Sequence, residues 1–212
     1  MASDSFTGVD GTLLTAHDSN WQQMKTVLIS NLTLVSNKVQ VSSYGIGAAR
    51  WAGSTSDISE AIMKSATTQP PYSSLSKRVV VRSSSSSEGY AAYLLTLSGN
   101  NYTRLTLQKN GSYLADLSTT LSIPSGTDYK MKITAAGTST VAIKVYINDT
   151  LIGTYNDSSS PITSGNPGIK IVGSNILVDN FIDDWNDGVS MASGISRGRS
   201  VYDSGSRSRG RI

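Results

Sequence analysis

Apolar and polar residues alternate along much of the chain, and this period of two predicts β-strands. Segments of this kind, enriched in β-branched and aromatic residues, include KTVLISNLTLV, KVQVSSYGI, ISEAIMKSATT, KRVVVRS, YAAYLLTLS and YTRLTLQKN. Between them lie SNK, GNN, KNGS, AAGTST and IND, whose Gly, Asn and Asp residues suit short hairpin loops. The pattern therefore predicts antiparallel neighbours joined by tight turns.

The segment YKMKITAAGTSTVAIKVYINDTLIGTY shows the clearest alternation, with two turn signals between three apolar stretches, and it predicts a β-meander. Evidence for helices is weak. Residues 56–66, SDISEAIMKSA, could begin a helix with Ser56 or Asp57 as its cap. Their apolar positions also suit an extended segment, and we expect a strand. The predicted fold class is all-β.

Composition limits the classes to which the protein can belong. At 212 residues the chain suits one well-buried β domain. Hydrophobic residues make up 38% of it, and no apolar run approaches the membrane-spanning length of about 18 residues. The chain has no Cys, so disulfides and thiolate metal sites are excluded. Its start, MASDSFTGVDG, lacks the basic and apolar segments of a secretory signal, and we expect no export by that route.

Basic charge is concentrated towards the C-terminal end. The net charge is +3, but residues 189–212 hold five arginines and one aspartate (5 − 1 = +4), which leaves −1 for the rest. Because this segment has few apolar side chains, it cannot form a core of its own. We therefore predict one domain at residues 1–185 and an irregular, basic C-terminal arm at residues 186–212. The arm residues expected to contact a partner are Arg197, Arg199, Tyr202, Arg207, Arg209 and Arg211.

Four motifs resemble those of laminin-G-like, concanavalin A-like jelly-roll domains: DSFTGVDGTL, YKMKITAAG, VAIKVYINDTLIGTYND and ITSGNPGIKIVGSNILVDNFIDDW. The resemblance covers residues 4–185 and implies an antiparallel, two-sheet jelly-roll sandwich. It also implies that the first strand pairs beside the last, which brings the Asp-x-Phe of residues 4–6 close to that of residues 179–181. We call this pair of segments the clasp and expect Phe6 and Phe181 to point from it into the core.

No catalytic constellation is evident in the sequence. Glu60 and Glu88 are the only glutamates, they lie 88 − 60 = 28 residues apart, and neither has an acidic residue two positions on. The E-x-D-x-x-E motif that retaining glycosidases of this fold share is therefore absent, and with it the carboxylate pair about 5 to 5.5 Å apart. The single histidine, His17, has no Ser or Cys motif near it. We predict that the protein is not an enzyme.

The sequence leaves two kinds of ligand site undecided, one for calcium and one for sugar. Laminin-G-like domains often hold a structural calcium ion, and the resemblance suggests Asp4, Asp10 and Asp179 as ligands, with turn and surface roles as the alternative. Exposed aromatic rings can stack on sugars, and Trp51 in RWAG and Tyr72 in PPY are the candidates because both segments resemble loops. The alternative for these rings is the core, since the chain has only two Phe residues. No other cofactor is expected.

A cysteine-free jelly roll without catalytic residues but with a basic arm is typical of a bacteriophage virion protein. We predict a non-enzymatic capsid decoration (cement), tail or fibre component, made in the host cytoplasm and located in the virion. Its expected partners are other virion proteins, as a homo-oligomer or as capsid or tail subunits, and a host-surface glycan. A solvated tail is the alternative for the arm, while nucleic acid and membrane are not expected partners. The alternative function is a carbohydrate-binding module or adhesion domain.

Overall fold

A computed structural model describes residues 3–24, 30–41, 45–64, 76–98, 101–124, 127–173 and 177–182 of the protein. These residues form sixteen strands and one short helix, α1 (Leu14–His17). The strands are β1 (Ser3–Asp4), β2 (Trp21–Gln23), β3 (Leu32–Val35), β4 (Lys38–Val41), β5 (Ile46–Trp51), β6 (Ile58–Lys64), β7 (Ser76–Ser83), β8 (Tyr90–Ser98), β9 (Asn101–Lys109), β10 (Ser112–Ser118), β11 (Ile123–Pro124), β12 (Tyr129–Ala136), β13 (Val141–Ile147), β14 (Thr150–Asp157), β15 (Asn166–Val172) and β16 (Leu177–Ile182).

The strands form two antiparallel sheets that pack face to face. The first sheet has the order β14-β13-β12-β6-β16-β4-β3, with β1 paired to β16. The second has the order β10-β9-β8-β7-β15-β5-β2, with β11 paired to β9. The chain crosses between the sheets several times, for example from β6 to β7 and from β14 to β15. The predicted all-β, two-sheet jelly-roll sandwich is confirmed.

The core lies between the sheets and follows strand alternation. On β12, Tyr129, Met131 and Ile133 are buried, whereas the intervening Lys130 and Lys132 face outward. The apolar positions of β12 and β13 therefore lie where the alternation placed them, whereas Leu151 on β14 is exposed. Aliphatic side chains of the second sheet complete the core opposite: Val79, Val81, Leu94, Leu105, Leu107, Ile169 and Ile171.

The clasp closes the first sheet. Strand β1 pairs with β16, with Asp4 opposite Phe181. Both Phe6 and Phe181 are fully buried. Trp21 lies between them, with ring centroids 6.0 Å from Phe6 and 4.7 Å from Phe181. The predicted pairing of the first and last strands, with both Phe rings in the core, is confirmed.

Two hairpin turns show why the chain reverses where the sequence indicates. The IND turn between β13 and β14 has Asn148 and Asp149 at φ 47° and 65°, and the KNGS turn has Asn110 and Gly111 at φ 51° and 81°. Asn, Asp and Gly tolerate this left-handed region better than other residues do. Both turns confirm the predicted antiparallel hairpins.

Several local assignments differ from the sequence pattern. Residues 58–64 form strand β6, as favoured over a helix. RWAG is a loop only in its second half, because Arg50 and Trp51 end strand β5 and Ala52 and Gly53 form the turn after it. Neither α1 nor β10 is predicted by the pattern. Helix α1 has four residues, too few to show a helical period, and β10 has two register shifts that interrupt its alternation.

Candidate ligand-binding face of the second sheet

The second sheet has an outer face, directed away from the core, that carries mostly polar side chains. Ile169 and Ile171 point into the core, so the intervening Lys170 points outward. Strand register places Lys170 opposite Arg78, and Arg78 opposite Tyr93. We call this surface the polar face; its side chains are Gln22, Arg50, Arg78, Tyr93, Arg104, Thr106, Gln108, Tyr113, Asp116 and Lys170, with Glu88 reaching it from the loop before β8.

Arg78 lies at the centre of the polar face and is held on three sides. Its guanidinium lies over the ring of Tyr93, 4.2 Å from the centroid. Its Nε donates to Ser76 Oγ at 2.9 Å and its Nη1 donates to Gln108 Oε1. Gln108 Nε2 in turn donates to the Tyr93 hydroxyl at 3.3 Å. Arg78, Tyr93 and Gln108 therefore fix one another before any ligand arrives.

Lys170 and Glu88 form an ion pair on the same face. Lys170 Nζ lies 2.5 Å from Glu88 Oε2, and Lys170 is 5% exposed. Burial lowers the pKa of Lys170, the hydrogen bond that Lys170 donates to Glu88 opposes this shift, and the charge of Arg78 adds to it. Burial also lowers the pKa of Arg78. The centre of the polar face therefore holds two desolvated cations side by side.

Arg50 lies on strand β5, the other neighbour of β15, opposite Gly168 and two residues along from Lys170. Its Nη1 donates to Asn166 Oδ1 at 2.6 Å and its Nη2 donates to Gln22 Oε1. Asn166 is fixed in turn, since its Nδ2 donates to Ser54 O at 2.5 Å. Arg50 Nε is buried and has no hydrogen-bond partner among the described residues. Like Arg78, Arg50 is oriented by side-chain amides.

Tyr113 is the exposed aromatic residue at the rim of the polar face. It lies on the edge strand β10, directly opposite Gln108, and 63% of its surface is exposed. Asp116, further along β10, accepts a hydrogen bond from Thr106 Oγ1 at 2.9 Å and lies 3.5 Å from Arg104 Nη1. The rim therefore offers a ring to a ligand beside a row of ordered polar groups.

Trp51, predicted to stack on a sugar, is part of the core instead. It is 5% exposed, and its ring packs against Trp21 at 5.2 Å and against Phe181 at 6.1 Å. A ring enclosed by two others leaves no face free for a pyranose. This corrects the assignment of Trp51. Tyr72, the other predicted sugar contact, lies outside the described residues.

The three aspartates predicted as calcium ligands have other roles in the structure. Asp4 is buried and accepts hydrogen bonds from Phe6 N at 2.7 Å and Trp21 Nε1 at 2.7 Å, and His17 Nε2 lies 3.0 Å away. Asp10 accepts from Ser36 N, and Asp179 from Asn180 N. In the part of the chain that the structure describes, no three His, Asp or Glu side chains gather as metal ligands. Asp4 surrounded by N–H donors does not fit a cation, and the predicted calcium site is not confirmed.

Asp4 instead ties the clasp to helix α1 and strand β2. We expect Asp4→Ala to lower the free energy of unfolding by about 2 kcal/mol, because the N–H groups of Phe6 and Trp21 would stay buried without an acceptor. Urea denaturation measures this, with the exposed Asp10→Ala as the control that stays within about 0.5 kcal/mol. If calcium raised the melting temperature of the parent protein but not of Asp4→Ala, Asp4 would be a metal ligand after all.

The two glutamates lie on opposite outer surfaces of the sandwich. Glu60 sits on β6 of the first sheet between the buried Ser59 and Ala61, and its Oε1 lies 3.6 Å from Lys130 Nζ. Burial raises the pKa of Glu60, although the nearby lysines oppose the shift. Glu88 belongs to the polar face of the second sheet. Since the core separates them, Glu60 and Glu88 cannot flank one glycosidic bond.

The predicted arm, residues 186–212 with Arg197, Arg199, Tyr202, Arg207, Arg209 and Arg211, lies outside the described residues, as do Asp183 and Asp184. Within the described ranges, no helix has the length and apolar character needed to cross a membrane. The polar face brings charged, amide and aromatic side chains together on one surface of the described structure.

No protein-family model matches the chain, and no curated protein matches it. Solved structures are similar in fold. One is a carbohydrate-binding module, CBM66, from Bacillus subtilis, with 18% identity and a TM-score of 0.51 over 76% of this chain and 91% of that one. Another is the metal-free Emp46p carbohydrate recognition domain, with 10% identity and a TM-score of 0.54 over 81% and 92%. A third is an endo-1,3-beta-glucanase from Streptomyces sioyaensis, with 10% identity and a TM-score of 0.55 over 85% and 94%.

At these identities the likeness establishes the fold alone. The chain has the concanavalin-like jelly-roll fold that carbohydrate-binding modules, carbohydrate recognition domains and glucanases also have.

Proposed function

We propose that the protein is a non-catalytic glycan-binding domain whose ligand lies on the polar face. The observation that carries this proposal is the exposed ring of Tyr113 beside Gln108, Tyr93 and Arg78, a row of polar groups with fixed positions. A sugar ring presents an apolar face that packs on an aromatic ring and hydroxyls that need directed hydrogen bonds. Tyr113 and its neighbours offer both kinds of contact on one surface.

The mutual contacts of the row favour binding. Arg78 and Gln108 have long side chains that would lose rotamer freedom on meeting a ligand. Because they are already held by each other and by Tyr93, this entropic penalty is borne on folding rather than on binding. A polysaccharide, whose repeated units each bind weakly, gains affinity when the side chains that contact it are already held in place.

A binding role is favoured over hydrolysis. Glu60 and Glu88 are separated by the core, and Asp116, the other carboxylate of the polar face, is held by Thr106 and Arg104. The fold is shared by a glucanase and by non-enzymatic binding domains, so the fold does not decide between them. The predicted virion role has no support among the structures of similar fold. It stays a prediction, as does the location in a virion, and glycan binding at a host surface is compatible with it.

Removing the Tyr113 ring tests the proposed site. We expect the full-length protein to bind at least one polysaccharide in a panel screened by affinity electrophoresis, and Tyr113→Ala to weaken that binding by at least about tenfold. The matched control is Tyr146→Ala, which removes a ring from the outer face of the first sheet, where Lys132 Nζ lies 4.6 Å from the ring centroid. Equal affinity of the two variants would place the site elsewhere, and a parent protein that binds no glycan would contradict the proposed function.

A further inference from the structure

The polar face carries an excess of positive charge. Its described cations are Arg50, Arg78, Arg104 and Lys170, and its carboxylates are Glu88 and Asp116, which gives 4 − 2 = +2. The domain as a whole has no such excess, because residues outside the C-terminal segment sum to −1. The positive charge is therefore a local property of this face.

Both carboxylates of the polar face are engaged by other residues. Glu88 pairs with Lys170 at 2.5 Å, and Asp116 pairs with Arg104 at 3.5 Å. Among the described residues no carboxylate lies within ion-pair distance of Arg50 or Arg78. The charge of Glu88 acts on Arg78 from beyond that distance and is shared with Lys170, so the two arginines are oriented for binding and have no ion-pair partner of their own in the described part of the chain.

The position of Arg78 makes this arrangement unfavourable in the absence of a ligand. Arg78 lies directly opposite Lys170 in the strand register, and like charges opposite each other destabilise a sheet. Arg78 is 9% exposed and Lys170 is 5% exposed, so water screens the repulsion poorly. Amide partners such as Gln108 orient a guanidinium without offsetting its charge. Glu88 is one carboxylate beside two cations, and a bound anion would supply the second counter-charge.

The opposite outer face offers no equivalent. Lys130 on the first sheet has two carboxylates nearby, Glu60 at 3.6 Å and Asp149 at 2.6 Å. Lys144 on the same face is exposed to solvent. Of the two outer faces, the polar face is the one whose described residues group buried cations without a carboxylate at ion-pair distance for each.

Resting on the proposed function, we propose that the ligand of the polar face is an acidic glycan whose carboxylate or sulfate groups bind Arg78 and Arg50. The planar guanidinium matches the geometry of both anions and can donate two parallel hydrogen bonds to either. Tyr113 on β10 lies three strand steps, about 14 Å, from Arg78 on β7. One unit of the polymer would therefore pack on Tyr113 while acidic substituents of further units bind the cations. A neutral glycan would leave both arginines without an ion-pair partner.

Matched polysaccharide pairs test the charge requirement on the full-length protein. Polygalacturonate is compared with its methyl-esterified form, and dextran sulfate with dextran, by affinity electrophoresis and titration calorimetry. We expect the acidic member of at least one pair to bind at least about tenfold more tightly than its neutral counterpart. This preference should weaken between about 50 mM and about 500 mM NaCl. The pair that responds identifies the anion as carboxylate or sulfate.

Variants separate the polar face from the five arginines of the C-terminal arm, which would also attract polyanions. Arg78→Gln should reduce affinity for the acidic polymer at least about tenfold, whereas Lys144→Gln on the opposite face should not. Glu88→Gln should have the opposite effect and strengthen acidic binding, because it removes a competing carboxylate and releases Lys170. A change of opposite sign at Glu88 cannot result from general loss of structure.

The outcomes distinguish this inference from the function on which it rests. If both members of each pair bind equally, or if Arg78→Gln keeps the preference, the acidic ligand is wrong and the glycan-binding function stands. If no polysaccharide binds, both fail. A single-stranded oligonucleotide that binds in place of every polysaccharide, with Arg78→Gln impaired, would show that the polar face recognises phosphate chains and would overturn both.

Discussion

Phe181→Ala should lower the free energy of unfolding by about 3 to 5 kcal/mol. Phe181 is fully buried on β16, a strand inside the first sheet, and its ring contacts Trp21 and Trp51 at 4.7 Å and 6.1 Å. Its removal leaves a cavity beside the rings of Trp21 and Trp51 that cannot close without moving the clasp. Urea denaturation followed by tryptophan fluorescence measures the loss.

Tyr113→Ala is the matched control for Phe181→Ala, since it removes an aromatic ring that is 63% exposed. We expect it to change the unfolding free energy by about 1 kcal/mol or less. A loss of that size for Phe181→Ala would instead mean that the closing strand adds little to the core, and the clasp would then be a peripheral contact.

The clasp and the meander could be predicted because their signals are local. In YKMKITAAG every second residue is apolar, and the turns that follow contain residues that tolerate positive φ. The sequence pattern assigns Trp51 to a loop, wrongly, because its strand has only a weak local signal. Strand β5 reads IGAARW, with small residues that carry little strand signal, and it is a strand because β15 and β2 pair with it on either side.

The polar face could not be predicted, because strand register assembles it from distant positions. Arg50 and Lys170 lie 170 − 50 = 120 residues apart in the chain, yet only one strand step separates β5 from β15. One signal was present in the sequence: KRVVVRS and GIKIV each place a cation inside a strongly apolar strand. Such a residue must face away from the core or find a partner inside it.

Lys77, the first cation of KRVVVRS, faces the core. It lies opposite Ile171 on β15 and points between the sheets, with Nζ 5.5 Å from the ring centroid of Tyr129 on β12. It is 2% exposed, and burial lowers its pKa to about 8, although the charge of Asp128 acts in the other direction. Below that pH the folded protein must hold a desolvated ammonium that the unfolded chain exposes to water.

Lys77→Met should therefore raise the free energy of unfolding by about 2 to 3 kcal/mol at pH 7, since Met keeps the apolar stem and removes the charge. As the pH rises above about 8, folded Lys77 loses its proton before the unfolded chain does, and the stability of the parent protein gains relative to the variant. The difference between the two should fall to about half by pH 9.5. Urea denaturation of both proteins at each pH isolates Lys77 from other titrating groups.

Lys132→Met, which removes an amine near the ring of Tyr146 on the outer face, should show little effect and no such trend. A Lys77→Met variant less stable than its parent at pH 7 would mean that the contacts of the ammonium with Tyr129 and its other neighbours outweigh the desolvation of the charge.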